Sequence, residues 1–488
     1  MNDYDVAIIG SGLGGLACGA ILSKNGYKVV VLEKNKVPGG CLQTFERKGV
    51  KFETGMHYIG SMREGEILNR YFKYLSLNDQ VQLNELDRNG YDVISFGGKR
   101  YPFANSIEPF IETLSRFFPK ESASIRKYIR DMGEIASRSP LYSLNHFEDP
   151  YYTNEYALST GVDDYLIELT DNQILRNVLT GIMPLYGGRK DITPLYYHAI
   201  IADFYNRSAF RIVGGSDRIA SSLCTSVREA GGEIITEARV DKIICDQNRA
   251  SRITLRSGET LSASHFISAI HPALLMDMID TPLIRKSYRK RVRSIPQTDS
   301  NFTVYIKFRE LTVPYMNYNF FHYPGQSVWE SPYFFYMHLC REKNQRMAHG
   351  AILYENMRWE EVERWKDLPC GNRGQEYEDF KTIRAEKLLS ALEKQFPGTV
   401  CNIENYWTST PLTYNYYTGT PQGAMFGIMR NKNDLRGISI MQRTKVPNLY
   451  LAGQNINAHG IMGVIIGSVL TCAEIMGIEP LLKQIQNT

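Results

Sequence analysis

No C-x-x-C pair occurs among the eight cysteines, which are scattered over 488 residues. That excludes a disulfide miniprotein and suits free buried thiols in a reduced, cytoplasmic compartment. Charge of one sign is also scarce in excess. Lys+Arg is 56 against Asp+Glu 52, a formal net charge of +4, and no Lys/Arg run reaches patch length, so no nucleic-acid partner is expected. The start, Met1-Asn2-Asp3-Tyr4-Asp5, lacks the basic region of a secretory signal. Long apolar runs are missing too. The uncharged stretch Val6 to Leu22 is interrupted by five glycines and falls short of the roughly 18 residues that suggest a span. The run between His459 and Glu474 is shorter still. Peripheral contact with a membrane surface stays open. The nine histidines are dispersed, with no metal-ligand spacing, so no metal is expected. No G-x-x-x-x-G-K-[ST], G-x-S-x-G or H-E-x-x-H occurs. What remains is an ordinary soluble composition, 43% hydrophobic and 22% charged, with length for roughly three structural units.

The first forty residues carry the strongest signal. Tyr4 to Ile9 is a short apolar run suited to a strand buried on both faces. Gly10-Ser11-Gly12-Leu13-Gly14-Gly15 matches G-x-G-x-x-G, Leu16 to Asn25 has helical composition and ends at Gly26, and Lys28 to Leu32 reads as a second strand. Gly10 permits the tight turn, Gly12 lets a pyrophosphate approach the backbone, and Gly15, beside Gly14, lets helix and strand pack closely. The helix N-terminus offers orphan N–H groups to the anion. Glu33, followed by Lys34, lies 18 residues after Gly15, in place to accept hydrogen bonds from an adenosine ribose.

Two further segments bear on which dinucleotide binds. Val37-Pro38-Gly39-Gly40-Cys41 puts a second glycine pair directly after the acid, which resembles the FAD two-dinucleotide-binding family. Asn448 to Gly453 reads as a short strand ending in glycine, followed by Gln454 and by Gly460, Gly463 and Gly467 in an apolar helix-like run. This resembles the carboxy-terminal FAD motif, with Gln454 where an acid is usual. The resemblance implies that the helix opened by Gly460, Ile461 and Met462 meets the pyrimidine edge of the flavin, where its dipole favours the anionic reduced ring. Between these ends, Val213 to Asp217 opens a helix over Arg218 to Ala230, capped by Ser216 or Asp217. Arg239 to Ile244 follows as a strand, then a hairpin around Ser257-Gly258. In flavoproteins of this kind the backbone near Val240 meets the adenine.

Together, Gly10 to Glu33, Gly39 to Cys41, Gly55 to Gly60, Tyr414 to Gly427 and Tyr450 to Gly467 are similar to the phytoene desaturase, carotenoid isomerase and all-trans-retinol saturase superfamily, in its retinol saturase and carotenoid isomerase branch. The resemblance implies an α/β fold: a Rossmann-like, two-dinucleotide-binding FAD domain assembled from discontinuous segments, with an inserted α+β substrate domain and an apolar tunnel to the flavin. The FAD-binding parts would be 1–80, 206–292 and 436–488, and the substrate parts 81–205 and 293–435. No second G-x-G-x-x-G follows a strand, so no separate nicotinamide-binding domain is expected, although NAD(P)H is a candidate electron donor. The aromatic-rich stretch Tyr315 to Tyr336 suits either a lipid pocket or half-buried sheet.

The resulting expectation is an FAD-dependent oxidoreductase that moves hydride between flavin N5 and a carbon–carbon bond of a long lipophilic polyene or isoprenoid, as a saturase or desaturase. The alternatives are a redox-neutral cis–trans isomerase using reduced FAD, an amine or porphyrinogen oxidase, and a flavin-binding protein without turnover. His57, Tyr58 and His459 are the candidate catalytic groups, because by resemblance they flank the flavin, although a lone His is more often structural.

Overall fold

The computed structural model describes residues 3–144, 154–330 and 333–488. The first two residues of the amino-terminal segment and positions 331–332 of the aromatic stretch lie outside the described residues.

The strand Tyr4–Ile9 sits near the middle of a seven-stranded sheet, with parallel neighbours Val29–Leu32 on one side and Thr260–Ser268 on the other. Ile8 pairs with Val31 and with Ile267. The sheet continues through Glu233–Ile235 at one edge and through the antiparallel strands Arg249–Leu255 and Val240–Asp246 at the other. Leu449–Leu451 adds a further parallel strand beside Thr260–Ser268. Strands from the chain's beginning, middle and end therefore share one sheet.

Its central strands are apolar throughout because both faces are covered. Val6, Ile8, Val29 and Val31 pack against the helices Leu13–Lys24 and Gly460–Met476. Ala7, Ile9, Val30 and Leu32 pack on the opposite face with Phe266 and Leu275. Each buried Val, Leu or Ile contributes about 1.5–3 kcal/mol. The edge strand Val240–Asp246 slips register twice, between Val240 and Lys242 and between Ile244 and Cys245. Those irregularities explain why its side chains alternate so poorly in sequence. Asn448 anchors the last strand by donating to the carbonyls of Ala250 (2.8 Å) and Ser264 (2.8 Å) and accepting from Ala250 N–H (2.9 Å).

A second seven-stranded sheet runs Ile403–Ser409, Ser300–Phe308, Gly350–Met357, Phe334–His338, Asn319–Tyr323, Asp92–Phe96, Lys99–Phe103. It is antiparallel except where Asn319–Tyr323 lies parallel to Asp92–Phe96. One face, with Phe320, Phe334 and Tyr336, is covered by the helix Gln375–Gln395 through Leu388, Leu389 and Leu392. The other, with Ile94, Phe321, Phe335 and Tyr354, packs on the helices Ser122–Ser137 and Leu195–Arg207. The aromatic stretch is thus mainly sheet core. All eight cysteines are free, but only Cys18, Cys224, Cys340 and Cys472 are buried; Cys370, in a turn with Gly371, and Cys401, in the short helix Val400–Asn402, are exposed. No helix among the described residues is long and apolar enough to cross a membrane.

Candidate FAD cradle and the chamber beside it

A cavity of about 340 Å³ opens at the carboxyl ends of the parallel strands, where open α/β sheets bind ligands. Gly10, Gly12, Gly14, Glu33, Lys34, Gly39, Gly40, Val240, Gly453, Gln454, Gly460 and Ile461 all line it. Two helices begin at its wall, Leu13–Lys24 after Gly12 and Gly460–Met476 after His459, and neither has a side-chain cap. Their first N–H groups remain available to an anion.

Close backbone contact explains the glycines. A Cβ on Gly15 would stand 1.9 Å from the Gly10 carbonyl oxygen, and one on Gly14 would stand 2.9 Å from the backbone of Gly453. Gly15 does not line the cavity; it lets the helix lie on the loop that does. Helical glycines at 14, 15 and 19 cost about 0.8–1 kcal/mol each relative to Ala, a cost offset by the packing they permit. The second glycine pair docks on the first loop, with Gly39 N–H donating to the Ser11 carbonyl at 2.9 Å. Ser216 stands at the start of the helix Asp217–Glu229, but its hydroxyl donates to the Leu42 carbonyl (3.1 Å) and so braces that loop from below.

Glu33 is buried and already engaged. Its Oε2 accepts from Ser11 N–H (3.1 Å) and Ser11 Oγ (2.5 Å), and its Oε1 from Asn35 N–H (2.8 Å). A carboxylate offers about four acceptor directions, so Glu33 ties the loop to the strand end and keeps limited capacity for a ribose. Lys34 Nζ reaches the Tyr416 carbonyl at 3.4 Å, and burial lowers its pKa. Together with Asn35, which donates to the Tyr417 carbonyl at 3.2 Å, it fastens the helix Pro411–Thr418 over this end. The segment after that helix brings Gly419, Thr420, Met425 and Phe426 into the cavity wall.

At the other end stands a cation that sequence reasoning missed. Arg430 is buried, donates to the Gln454 carbonyl at 3.3 Å, and lies over the Tyr197 ring at 5.4 Å. Its Nε and the Nε2 of His459 are buried without a hydrogen-bond partner. Burial, reinforced by Arg430, pushes the His459 pKa down to about 3, so the ring is neutral at physiological pH. The N-terminus of the helix at Gly460, with the Arg430 guanidinium behind Gln454, suits a polar, partly anionic ring edge. The uncapped helix ends, the glycine loops and this polar end fit FAD.

His57, Tyr58, His459 and Met462 do not line the cradle. His459 and Met462 line a neighbouring aromatic cavity of about 60 Å³ with Tyr196, Tyr197 and Phe204. His57 follows Gly55 and Met56, which do line the cradle, and stacks on Phe335 with ring centres 5.9 Å apart. Tyr58 points away, into the core below the second sheet, and donates to Asp92 Oδ2 at 2.9 Å. Asp92, fully buried, also accepts from Asn319 Nδ2 (2.7 Å); burial pushes its pKa up to about 7. Phe426 is shared by the cradle and a chamber of about 1020 Å³ under the second sheet. The chamber is not the uniformly apolar tunnel expected. Met183, Trp329, Tyr333 and Phe334 form one part of its wall, while Arg189, Asp299, Glu355 and Arg384 form another, in the ion pairs Arg189–Asp299 and Arg384–Glu355.

The profile of the family described as "Flavin containing amine oxidoreductase" matches residues 13–314. The chain belongs to this family. It is an FAD-dependent oxidoreductase, as the two glycine motifs and the cradle require. An all-trans-retinol 13,14-reductase of Rattus norvegicus is 28% identical, with 97% of this chain and 85% of that protein covered. Prolycopene isomerase 1, chloroplastic, of an Oncidium hybrid cultivar is 24% identical over 98% of this chain and 85% of its own. The resemblance to the retinol saturase and carotenoid isomerase branch therefore extends along the whole chain, beyond the two ends from which it was read. An oxidoreductase of Methanosarcina mazei, 15% identical, shares the fold with a TM-score of 0.66 over 95% of this chain and 98% of that one.

Proposed function

We propose that this flavoenzyme transfers hydride between flavin N5 and a carbon–carbon double bond of a long lipophilic polyene, in the saturating direction. The observation that carries the reading is the 28% identity to a retinol 13,14-reductase along nearly the whole chain. The chamber that meets the cradle at Phe426 supports it, because a substrate there would lie against the flavin site. In this reading Gly10, Gly12, Gly14, Gly39 and Gly40 hold the pyrophosphate, Glu33 and Lys34 the ribose end, Val240 the adenine, and Gly453, Gln454, Gly460 and Ile461 the flavin end, with Met462 behind them in the aromatic cavity. Bound FAD supplies the hydride; the chain's own residues orient the alkene, exclude water and provide the proton. His57, at the junction of cradle and second sheet, is better placed for the proton than His459, which burial holds neutral. Tyr58 acts at a distance, by fixing Asp92.

The same reading divides the chain into FAD-binding segments 1–80, 206–292 and 436–488 around substrate segments 81–205 and 293–435, a partition that the membership of the two large sheets supports. NAD(P)H is the electron donor in this scheme. The location is cytoplasmic with reversible membrane contact, since a lipophilic substrate must leave the bilayer. Tyr156, Ile167 and Ile174, on three successive helices, are exposed apolar groups suited to that contact. A second reading, redox-neutral isomerisation by reduced FAD, is favoured by the similarity to prolycopene isomerase. Anaerobic incubation of the NAD(P)H-reduced enzyme with all-trans-retinol or a carotene, followed by product mass, tests both. A gain of two hydrogens supports saturation, and an isomer of unchanged mass supports the second reading.

A further inference from the structure

Saturating an alkene adds a hydride to one carbon and a proton to the other. The proton must cross from solvent into a site that excludes water. Next to the cradle-lining Gly55 and Met56 lies a cluster of polar side chains, none of which lines the cradle. At its centre is Glu53, the last residue of the strand Val50–Glu53 and only 6% exposed. Its Oε2 lies 3.6 Å from His57 Nδ1, just beyond hydrogen-bond range. Arg211, 1% exposed on the strand Ala209–Ile212, donates to the Tyr318 carbonyl (2.8 Å) and to Met337 Sδ (3.1 Å).

Three buried polar atoms around Glu53 lack a partner at hydrogen-bond geometry: His57 Nδ1, Arg211 Nε and Asp217 Oδ1. Buried polar atoms left unpaired around one carboxylate mark a place for ordered water. The cluster has an outer and an inner end. Asp217 carries the outer end, pairing with Lys51 Nζ at 2.7 Å where their side chains are 29% and 37% exposed. His57 carries the inner end, beside the cradle-lining Gly55 and Met56 and against Phe335 and Tyr354.

We propose that Glu53 and His57 form a proton relay, fed from solvent at Asp217 and Lys51 through water in this cluster, which delivers the proton to the reacting carbon. The inference rests on the alkene-saturating reading above. The reducing equivalents come from bound FAD, itself reduced by a nicotinamide-class donor. In the proton step, the π pair of the alkene forms the new C–H bond to the proton leaving His57 Nε2. His57 takes a proton at Nδ1 from Glu53, and Glu53 regains one from the water chain. Burial raises the Glu53 pKa and Asp217 adds to that, while His57 and Arg211 oppose it; Cys340 also faces the cluster. The net effect keeps a proton on Glu53 at higher pH than an exposed carboxyl would hold it. Glu53 acts through His57 and is a positioning residue.

The test compares the parent with His57→Phe, Glu53→Gln and Glu53→Asp. In the apoprotein, carboxyl-carbon NMR follows the titration of Glu53. His57→Phe, which removes a partner that favours the ionised carboxyl, should raise its midpoint. In the FAD-loaded enzyme, anaerobic single-turnover saturation of all-trans-retinol should slow about 10²-fold in Glu53→Gln. The pH profile should lose its Glu53 limb, Glu53→Asp should recover part of the rate, and flavin reduction by NAD(P)H should stay at the parental rate. Where Glu53→Gln fails to fold, Glu53→Asp carries the comparison through its longer gap to His57. A Glu53 midpoint unmoved by His57→Phe in a folded variant overturns the relay, as does a parental rate with a parental pH profile in Glu53→Gln. A parent enzyme that saturates no polyene, with the Glu53 midpoint shifted by His57→Phe as expected, instead removes the saturase reading and leaves the Glu53–His57 coupling standing.

Discussion

Glu33 illustrates how a residue read as a ligand contact also holds its own loop. Three donors, two from Ser11 and one from Asn35, already reach its carboxylate. Glu33→Ala leaves the Ser11 N–H unpaired in a buried place, so it should destabilise the apoprotein as well as weaken FAD, by about 1–3 kcal/mol in each case. Urea unfolding of the apoprotein and fluorescence titration with FAD measure the two effects; apoprotein of parental stability would show that the loop does not depend on this carboxylate. Asp92 makes a pH-dependent claim. Its pKa stands raised in the folded state, from 3.8 to about 7, so the folded protein holds a proton that the unfolded chain releases. Stability should therefore fall as pH rises through that window, and Asp92→Asn should flatten the slope between about pH 4 and 7. Urea midpoints across this range check it; equal slopes in both proteins would mean that Asp92 does not titrate there. These residues also mark the limit of what the sequence reveals. The glycine fingerprint is legible because its parts are contiguous and each has one physical job. Glu53, Asp92, Arg211 and Asn319 are isolated in sequence and meet only in the fold, so no spacing announces them.

Among elements, the helix Gly460–Met476 decides the flavin end. It is apolar all round because it is buried between the first sheet and the fingerprint helix, and Ser468 Oγ donates to the Gly14 carbonyl at 3.2 Å. Gly460 has φ +75°, and a Cβ there would meet nothing within 4 Å. Gly460→Val should thus be strained at the backbone and project into the cradle. We expect a lower flavin reduction potential and hydride transfer slowed at least tenfold, since reacting atoms must approach to about 3–3.5 Å. His459→Ala should be milder, with FAD retained and no change in pH profile between pH 5 and 8, because the ring is neutral throughout. Stopped-flow flavin absorbance compares the two; parental rate and potential in Gly460→Val would remove this helix from the flavin site. The first sheet's order was readable at its ends, where strand, glycine turn and helix follow one another. The second sheet was not. Asp92–Phe96 and Phe334–His338 are buried on both faces, so they show no alternation, and their partners lie far away in sequence.

For the whole molecule, the cradle on the first sheet and the chamber beside the second share a wall at Phe426. The exposed Tyr156, Ile167 and Ile174 predict reversible association with liposomes. Flotation should show it, and Ile167→Asp with Ile174→Asp should weaken it severalfold; no lipid-bound fraction at any composition would argue for a substrate delivered from solution. Fold and cofactor were legible because glycine spacing is dictated by backbone geometry around a pyrophosphate. The mixed polarity of the chamber was not, since Arg384, Glu355 and Glu361 form their ion pairs only across the helix–sheet contact. The most direct test of the central claim is a single anaerobic turnover: FAD-loaded enzyme, reduced stoichiometrically, mixed with all-trans-retinol while flavin absorbance and product mass are followed. The account predicts reoxidation of the flavin with formation of one equivalent of a product two hydrogens heavier. Flavin that stays reduced beside retinol of unchanged mass would contradict it.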